Sequence, residues 1–270
     1  ICLGGDGTQK GLHTIHEECE KRNMRIACVG VPKTIDNDIS YVYKTFGMDT
    51  AVTVAKEAVR SAHCEAESAY NGIGLVKVMG RHSGFIACNT TLANNDVNIC
   101  LIPEIDFDLH GKGGLFDHLE TRLARRHHAV IVAAEGAGQN LIHSEEGTQT
   151  YDASGNIKLL DIGVYLKNKI IEHFKGKGTP VDLKYIDPSY MIRSVPTNAN
   201  DSIFAAELGR MAVDAAMAGK TDCLIGFWHG QYTHVPLPLA TSQRKQVHAE
   251  GELWREVLST TGQPLSLKKE

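Results

Sequence analysis

Two short segments near the start of the chain combine residue types suited to moving a phosphoryl group onto an alcohol. Residues 4–8 (Gly-Gly-Asp-Gly-Thr) follow the apolar residues 1–3, and residues 32–38 (Pro-Lys-Thr-Ile-Asp-Asn-Asp) follow the apolar run 26–31. Polar residues just after a parallel strand lie at the sheet edge where α/β proteins bind ligands. The first segment suits phosphate and metal, and the second suits removal of a proton from a hydroxyl group.

The glycine-rich segment 4–8 predicts a phosphate site. Its glycines allow close approach of the backbone, the helix that follows offers free N–H groups, and Asp6 can hold Mg²⁺ directly or through water. The Gly-Lys-Ser/Thr ending of a Walker A loop is missing. The same five residues also resemble the nucleotide loop of NAD kinases and diacylglycerol kinases, and an ordinary strand-to-helix turn is the alternative.

The acidic segment 32–38 predicts a general base. In an extended stretch, side chains two residues apart point the same way, so Thr34, Asp36 and Asp38 are expected to converge on one pocket. A positioned aspartate accepts the proton of an attacking alcohol, and Lys33 can stabilise charge on the phosphoryl group in flight. The alternative is an Asx-rich turn with solvated acids.

Further polar residues follow later predicted strands. Arg81, in segment 79–84 (Met-Gly-Arg-His-Ser-Gly), is expected at the N-terminus of a helix that begins at residue 83, where it makes an anion site. Glu135 ends a strand and can accept hydrogen bonds from sugar hydroxyls, or alternatively cap a helix. Segment 185–193 presents cationic and aromatic side chains on or near it: Lys184, Tyr190 and Arg193.

Apolar runs alternate with helical patterns along the chain, which predicts an α/β fold with mostly parallel sheets. The predicted strands are 1–3, 26–31, 73–79, 98–103, 129–134, 182–186 and 223–228. The predicted helices are 9–22, 48–65, 83–93, 115–126, 161–175 and 201–218. The polar segment 138–160 is expected to be a loop, and the last forty residues an edge strand followed by a surface helix.

Composition excludes several classes of protein. The 270 residues are 42% hydrophobic, with a net charge of −4 and no basic block, so neither a nucleic-acid partner nor a membrane span is expected. The seven cysteines read as small buried hydrophobes in a reducing compartment. Because the chain opens without Met inside an apparent core strand, we expect further N-terminal sequence in the protein, and an inactive or poorly folded chain without it.

Five motifs, in order, resemble those of the 6-phosphofructokinase (phosphofructokinase A) family. They are residues 4–8, 32–38, 79–84, 134–136 (Ala-Glu-Gly) and 190–193 (Tyr-Met-Ile-Arg), and the resemblance extends to about residue 240. It implies two similar Rossmann-like three-layer lobes with the active site in the cleft between them. The expected nucleotide and magnesium lobe is 1–47 plus 192–240, and the expected sugar-phosphate lobe is 48–191 plus 241–270.

Gly7 and Lys33 narrow the branch of the family. Pyrophosphate-dependent members resemble this chain at Lys33 but carry an aspartate at the position of Gly7, where the carboxylate crowds the α-phosphate of ATP. The short bacterial ATP enzymes have glycine at the position of Lys33. The combination resembles the ATP-dependent branch that is close in sequence to the pyrophosphate enzymes. The alternatives are a pyrophosphate-dependent phosphofructokinase and a non-catalytic regulatory subunit.

The resemblance implies transfer of the ATP γ-phosphoryl group to the 1-hydroxyl of fructose 6-phosphate, a reaction of glycolysis, in an allosteric, cytoplasmic homotetramer; an organelle like the peroxisome is left open. It implies catalytic roles for Asp36 as the base, Lys33 and Arg81. Asp6 is expected to bind Mg²⁺, and the expected nucleotide contacts are Gly4, Gly5, Asp6, Gly7 and Thr8. The expected contacts of fructose 6-phosphate are Thr34, Ile35, Asp36, Met79, Gly80, Arg81, Glu135, Lys184, Tyr190, Met191, Ile192 and Arg193. Lys184 stands where a neighbouring subunit often lends an arginine, and Gly72 where the other such arginine is expected.

Overall fold

The computed structural model of the chain describes residues 1–146, 151 and 158–269. These residues form two compact units. Unit 1 comprises residues 1–51 and 193–246, and unit 2 comprises residues 52–192 and 247–270. From the sequence alone, the lobe boundaries were expected near residues 47, 191 and 240.

Nine strands and ten helices are present in the described part of the chain. The strands are β1 (Cys2–Gly4), β2 (Val29–Thr34), β3 (Phe46–Gly47), β4 (Gly72–Val78), β5 (Ile99–Leu101), β6 (His128–Ala134), β7 (Asp182–Ile186), β8 (Cys223–Trp228) and β9 (Gln231–Pro236). The helices are α1 (Asp6–Lys21), α2 (Met48–Ser68), α3 (Phe85–Leu92), α4 (Leu115–Arg126), α5 (Gln139–Glu146), α6 (Ile162–Gly176), α7 (Ser189–Ile192), α8 (Ala199–Met217), α9 (Leu237–Ala240) and α10 (Glu252–Thr261). None of these helices combines the length and apolarity that crossing a bilayer requires.

Unit 1 is a sheet covered by helices on both faces. Its strand order is β1-β2-β8-β9, with β3 beside the end of β2, and every pairing is parallel except β8 with β9. Alternate residues of β8 point to opposite faces, as a strand requires. Leu224 packs in one cluster with Leu12 of α1, whereas Cys223 and Ile225 pack in another with Leu208 of α8. The predicted three-layer arrangement follows from this alternation.

Unit 2 contains a fully parallel sheet in the order β5-β6-β4-β7. Ile73 and Leu75 of β4 point into a core that includes Phe116 of α4 and Leu166 of α6. On the other face of β4, a Cβ atom at Gly72 would lie 2.0 Å from the carbonyl oxygen of Ala66 in α2. Strands buried on both faces read as continuous apolar runs, which is why β4 and β6 were predictable.

The α/β class is confirmed, and all seven predicted strands and all six predicted helices are present. The ends of β7, β8 and α4 are as predicted, and the other predicted elements are shifted at one or both ends. The predicted edge strand and surface helix of the last forty residues correspond to β9 and α10. Strand β2 continues to Thr34, because Lys33 and Thr34 pair with the unpredicted strand β3. Lys33 and Thr34 therefore lie within strand β2 and not, as predicted, after its end.

The prediction of a loop over 138–160 is wrong in its first part, which is helix α5. The reason is tertiary: Ile142 is buried, and the side chain of Gln139 exchanges hydrogen bonds with both backbone groups of Leu160. Residues 147–150 and 152–157, including the turn-rich Asp152–Asn156, lie outside the described residues.

One buried side chain joins the two strands that lead to the predicted site of unit 1. Gln9 of α1 has no exposed surface, and its Nε2 donates hydrogen bonds of 3.0 Å to the carbonyl oxygens of Gly4 and Val31. Gly4 ends β1 and Val31 lies within β2, so the same amide holds both strands beside α1.

We expect Gln9→Met to lower the free energy of unfolding by about 1–3 kcal/mol, because it keeps the volume but leaves two buried carbonyl groups without a donor. Chemical denaturation of the wild-type and variant chains measures the change. Gln243→Met, at an exposed glutamine of the same unit, is the control and should be nearly neutral. Equal stability of Gln9→Met and wild type would contradict the role assigned to this amide.

Candidate active site

The glycine-rich segment forms the predicted strand-to-helix junction. Helix α1 begins at Asp6 after Gly5, no side chain caps it, and its first backbone hydrogen bond runs from the N–H of Gln9 to the carbonyl of Gly5 at 3.1 Å. Gly7 and Thr8 are exposed. The N–H groups of an uncapped first helical turn, at the positive end of the helix dipole, are a favourable place for phosphate.

Asp6 lies in this turn with two cations that sequence reasoning missed. Its side chain is only 8% exposed; Oδ2 lies 2.8 Å from Nζ of Lys10 and 3.6 Å from Nε of Arg244. The spacing of four residues between Asp6 and Lys10 on a helix is a local signal that could have been read. Arg244 is distant in sequence and gave no such signal.

Gly7 faces open space. A Cβ atom built on it would meet no protein atom within 4 Å, and its backbone has ordinary helical geometry. The protein itself therefore tolerates a side chain at residue 7. The packing of the described residues does not require glycine at this position.

The acidic segment is a shaped turn and not the predicted extended stretch. The N–H of Asp36 donates to Oγ1 of Thr34 at 3.2 Å, so Thr34 and Asp36 do lie together. Asn37, however, has a positive φ of 52°, which interrupts the extended backbone before Asp38. The buried amide of Asn37 fixes the turn by accepting a hydrogen bond from the N–H of Thr45 and donating one to the carbonyl of Tyr43.

The predicted convergence of Thr34, Asp36 and Asp38 on one pocket, which assumed an extended backbone, is therefore wrong for Asp38. Asp38 has different neighbours: its carbonyl accepts a hydrogen bond of 2.9 Å from the N–H of Lys245. Burial raises the pKa of the Asp38 carboxyl, although the charge of Arg244 opposes the shift. Asp36 is the acid of this segment that remains beside Thr34.

In unit 2, the residues after β4 and β6 form one locked corner. Gly80 has a φ of 130°, and a Cβ there would lie 2.5 Å from the carbonyl oxygen of Ser83, so this turn requires glycine. The N–H of Glu135 donates to the carbonyl of Val78, and the N–H of Gly136 donates to that of Gly80. Backbone contacts thus bring Met79, Gly80 and Arg81 beside Glu135.

Glu135 is partly buried in this corner. Burial raises the pKa of its carboxyl, against the backbone of Gly80 and the positive charges of Arg81 and Lys77. The alternative role as a helix cap is wrong, because α5 begins only at Gln139. Glu135 is available as a hydrogen-bond acceptor with a cationic neighbour.

The predicted position of Arg81 at a helix N-terminus is also wrong. Helix α3 begins at Phe85, and the N–H of Gly84 at its start donates to the carboxylate of Glu104 at 2.9 Å. The anion at this helix end is therefore a side chain of the protein. Arg81 precedes this helix, in the turn that follows β4.

A lysine that sequence reasoning missed supports the same corner. Nζ of Lys77, on β4, lies 2.9 Å from Asp161 and 2.8 Å from Asp187. Burial alone would lower the pKa of Lys77, but its hydrogen bonds to the two carboxylates outweigh burial and raise it. Asp161 also caps helix α6, and Asp187 accepts the N–H of Ser189 at the start of α7. Lys77 is the one charged residue in an otherwise apolar strand, and this pattern could have indicated its role from the sequence.

The remaining predicted residues are spread over both units. In unit 2, Tyr190 and Met191 are exposed on α7 while Ile192 is buried. Arg193 is exposed in unit 1. Lys184 lies within edge strand β7, 3.1 Å from Asp182, and not at a strand end. Gly72 is so close to α2 that no side chain fits, which accounts for the absence of an arginine there.

Comparison with known proteins shows the family of this chain. The family model for phosphofructokinase matches residues 1–216. The chain belongs to the phosphofructokinase family. It is 56% identical over 272 residues to an ATP-dependent 6-phosphofructokinase of Borreliella burgdorferi, covering 98% of this chain and 60% of that protein. It is 46% identical to an ATP-dependent 6-phosphofructokinase of Trypanosoma brucei brucei, covering 96% and 53%.

Solved structures of phosphofructokinases share the fold. A pyrophosphate-dependent phosphofructokinase from Marinobacter aquaeolei superposes with a TM-score of 0.72 at 21% identity, over 96% of this chain and 66% of that one. For Pichia pastoris phosphofructokinase in the T-state the TM-score is 0.68 at 21% identity, over 99% and 29%. This phosphofructokinase chain thus spans little more than half the length of the curated relatives above.

Lys245 gives unit 1 a measurable pH dependence. Burial lowers the pKa of Lys245 to about 8, although Asp38 opposes the shift, and its Nζ donates to the carbonyl groups of Val42 and Tyr43. Between pH 8 and the ordinary lysine pKa of 10.5, the unfolded chain holds a proton that the folded chain lacks. The free energy of unfolding should therefore rise with pH in this window.

We expect the stability of wild type minus that of Lys245→Met to rise by at most about 3 kcal/mol between pH 8 and pH 10. Urea unfolding at a series of pH values measures it, and the difference removes the titration of cysteines and tyrosines common to both chains. Lys21→Met, at an exposed lysine of unit 1, is the control and should track wild type. Parallel curves for wild type and Lys245→Met would count against a buried, depressed lysine.

Proposed function

We propose that the protein containing this chain transfers the γ-phosphoryl group of ATP to the 1-hydroxyl of fructose 6-phosphate. The observation that carries the choice of donor is the open space at Gly7 on the uncapped first turn of α1. Such a turn can bind the phosphates of a nucleotide, and the missing side chain leaves room for an α-phosphate. Relatives at 43–56% identity carry the name ATP-dependent 6-phosphofructokinase, which supports the same reading.

Asp36 is the proposed general base. It accepts the proton of the sugar 1-hydroxyl while that oxygen attacks the γ-phosphorus in line, and ADP leaves without a covalent phosphoenzyme. The hydrogen bond from its N–H to Oγ1 of Thr34 holds the backbone of Asp36 beside Thr34. Lys33, at the exposed end of β2, stabilises the charge on the group being transferred.

The proposed nucleotide contacts are Gly4, Gly5, Asp6, Gly7 and Thr8 in unit 1. Mg²⁺ is usually held by one or two carboxylates together with substrate phosphates, and the mostly buried carboxylate of Asp6 fits that use. When bound, Mg²⁺ would neutralise charge on the phosphate oxygens. Lys10 and Arg244 balance the charge of Asp6 from the protein side.

The sugar phosphate is assigned mainly to unit 2. Glu135 accepts hydrogen bonds from sugar hydroxyls, and Arg81 supplies a planar cation for phosphate. The other proposed contacts are Thr34, Ile35, Met79, Gly80, Tyr190, Met191, Ile192 and Arg193. Lys184 is proposed to act on the 6-phosphate of a neighbouring subunit in a homotetramer, which its position within an edge strand allows. The seven cysteines, all free, suit a reducing compartment such as the cytoplasm.

Asp36→Asn should lower kcat by roughly 10²–10⁴-fold with a much smaller change in KM for fructose 6-phosphate, because a base acts on the transition state and not on ground-state binding. A coupled assay on the full-length protein measures both constants. Asp49→Asn is the control, since that acid pairs with Lys44 in the same unit and should keep kcat near wild type. Turnover of Asp36→Asn close to wild type would remove Asp36 from the mechanism.

Gly7→Asp should lower kcat/KM for ATP by roughly 10²-fold or more, because it adds bulk and a negative charge beside a phosphate. Its melting temperature should stay near wild type, since residue 7 has open space around it and an acid is favourable in a first helical turn. Gly7→Asn retains the bulk without the charge and separates the two effects. Wild-type kcat/KM for pyrophosphate equal to or above that for ATP would favour the pyrophosphate-dependent alternative.

A further inference from the structure

A group of histidines and acids lies at the opposite edge of the unit 2 sheet from the proposed sugar-phosphate residues. His63 and Glu67 are on the last turns of α2, and His128 is the first residue of β6. Asp96 lies three residues before β5. The residues assigned above follow the carboxyl ends of β4 and β6, whereas this group lies at the amino ends of the strands. It therefore has no part in the proposed phosphoryl transfer.

The distances within the group suit a metal ion. One ligand atom each from His63, Glu67 and His128 lie within 4.8 Å of one another. Nε2 of His63 is 3.4 Å from a Glu67 oxygen and 3.7 Å from an Asp96 oxygen. Ligands bonded to Zn²⁺ at tetrahedral angles lie about 3.3–3.4 Å apart. Nε2 of His63 and the Glu67 oxygen already lie at that separation.

The backbone explains why the atoms converge. His63 and Glu67 are four residues apart on a helix and so share one face. The rings of His63 and His128 meet edge to face, with centroids 5.5 Å apart. The two elements that carry them are consecutive layers of the same unit, so the group needs no other part of the protein.

The tautomer of His128 is set by its neighbour. Its Nδ1 lies 3.1 Å from the backbone carbonyl oxygen of Arg126, and a carbonyl oxygen can only accept a hydrogen bond. Nδ1 therefore carries the hydrogen, and in the neutral ring Nε2 carries the lone pair. A ring nitrogen held by a backbone carbonyl, with the other free to ligate, is the usual arrangement of a metal-binding histidine.

We propose that His63, Glu67 and His128 bind one divalent transition-metal ion of the zinc class, with Asp96 as the fourth ligand. Two imidazoles and two carboxylates balance a charge of 2+. Imidazole nitrogen selects zinc-like ions over Mg²⁺, which prefers oxygen ligands. The ion would tie the end of α2 to the start of β6 and so stabilise unit 2.

Co²⁺ titration of the chelator-treated full chain in excess Mg²⁺ tests the proposal, because four-coordinate Co²⁺ absorbs visible light and thiolate ligands add a near-ultraviolet band. We expect saturation at one equivalent, without the thiolate band. Glu67→Gln and His128→Gln should each weaken binding by about tenfold or more. His127→Asn removes a neighbouring imidazole, at a positive φ that asparagine tolerates, and should bind as wild type does.

Thermal unfolding with Zn²⁺ provides a readout that does not depend on colour. Zn²⁺ should raise the melting temperature of wild type and His127→Asn but not of Glu67→Gln. Because the side chain of Glu67 is exposed, misfolding of Glu67→Gln would not explain a lost Zn²⁺ effect. Cys64→Ser tests the exposed thiol beside His63 and should leave binding unchanged. No saturable binding, binding that survives both ligand variants, or binding lost with Cys64 would each overturn the proposal.

Discussion

The buried amide of Gln9 is the interaction on which the proposed nucleotide site most depends. It satisfies carbonyl groups in two neighbouring parallel strands at once, and a buried carbonyl without a donor is costly. The phosphate turn at residues 4–8 and the acidic turn at residues 34–38 both continue from those strands. Their separation is therefore set by a side chain that belongs to neither turn and contacts no proposed substrate.

In unit 2, ion pairs hold separate elements together as the Gln9 amide does in unit 1. Lys77 is part of β4, and its charge is neutralised by Asp161 and Asp187. Each of these acids also accepts a backbone hydrogen bond in the first turn of a helix. Because Lys77 is mostly buried, the loss of either carboxylate would be costly, and its two ion pairs link the start of α6, the start of α7 and the end of β4. The corner that carries Glu135 and Arg81 is built on this network.

Much of the fold and part of the candidate site could be predicted from the sequence. Apolar strands such as β4 and β6 are visible because burial on both faces leaves few polar positions, and the glycine-rich turn is visible because its geometry is local. What failed depended on distant residues. Lys33 joins a strand through Phe46, Gln139 orders a helix through Leu160, and Arg244 reaches Asp6 from across the chain. The turn at Asn37 was missed because the sequence pattern was read as extended backbone.

Unit 2 is built from two stretches of chain that are separated in sequence, and this affects how it folds during synthesis. Residues 247–269 return to this unit after the chain has built the second part of unit 1, and they supply Trp254 and Leu267 to its interior and an N–H from Val247 to Glu104. A chain emerging from the ribosome therefore has to keep the surface awaiting Trp254 uncovered until nearly all of these residues have been made. Unit 2 can therefore be completed only after the second part of unit 1 has been made, and the surface that Trp254 covers is exposed to aggregation and to chaperones until then.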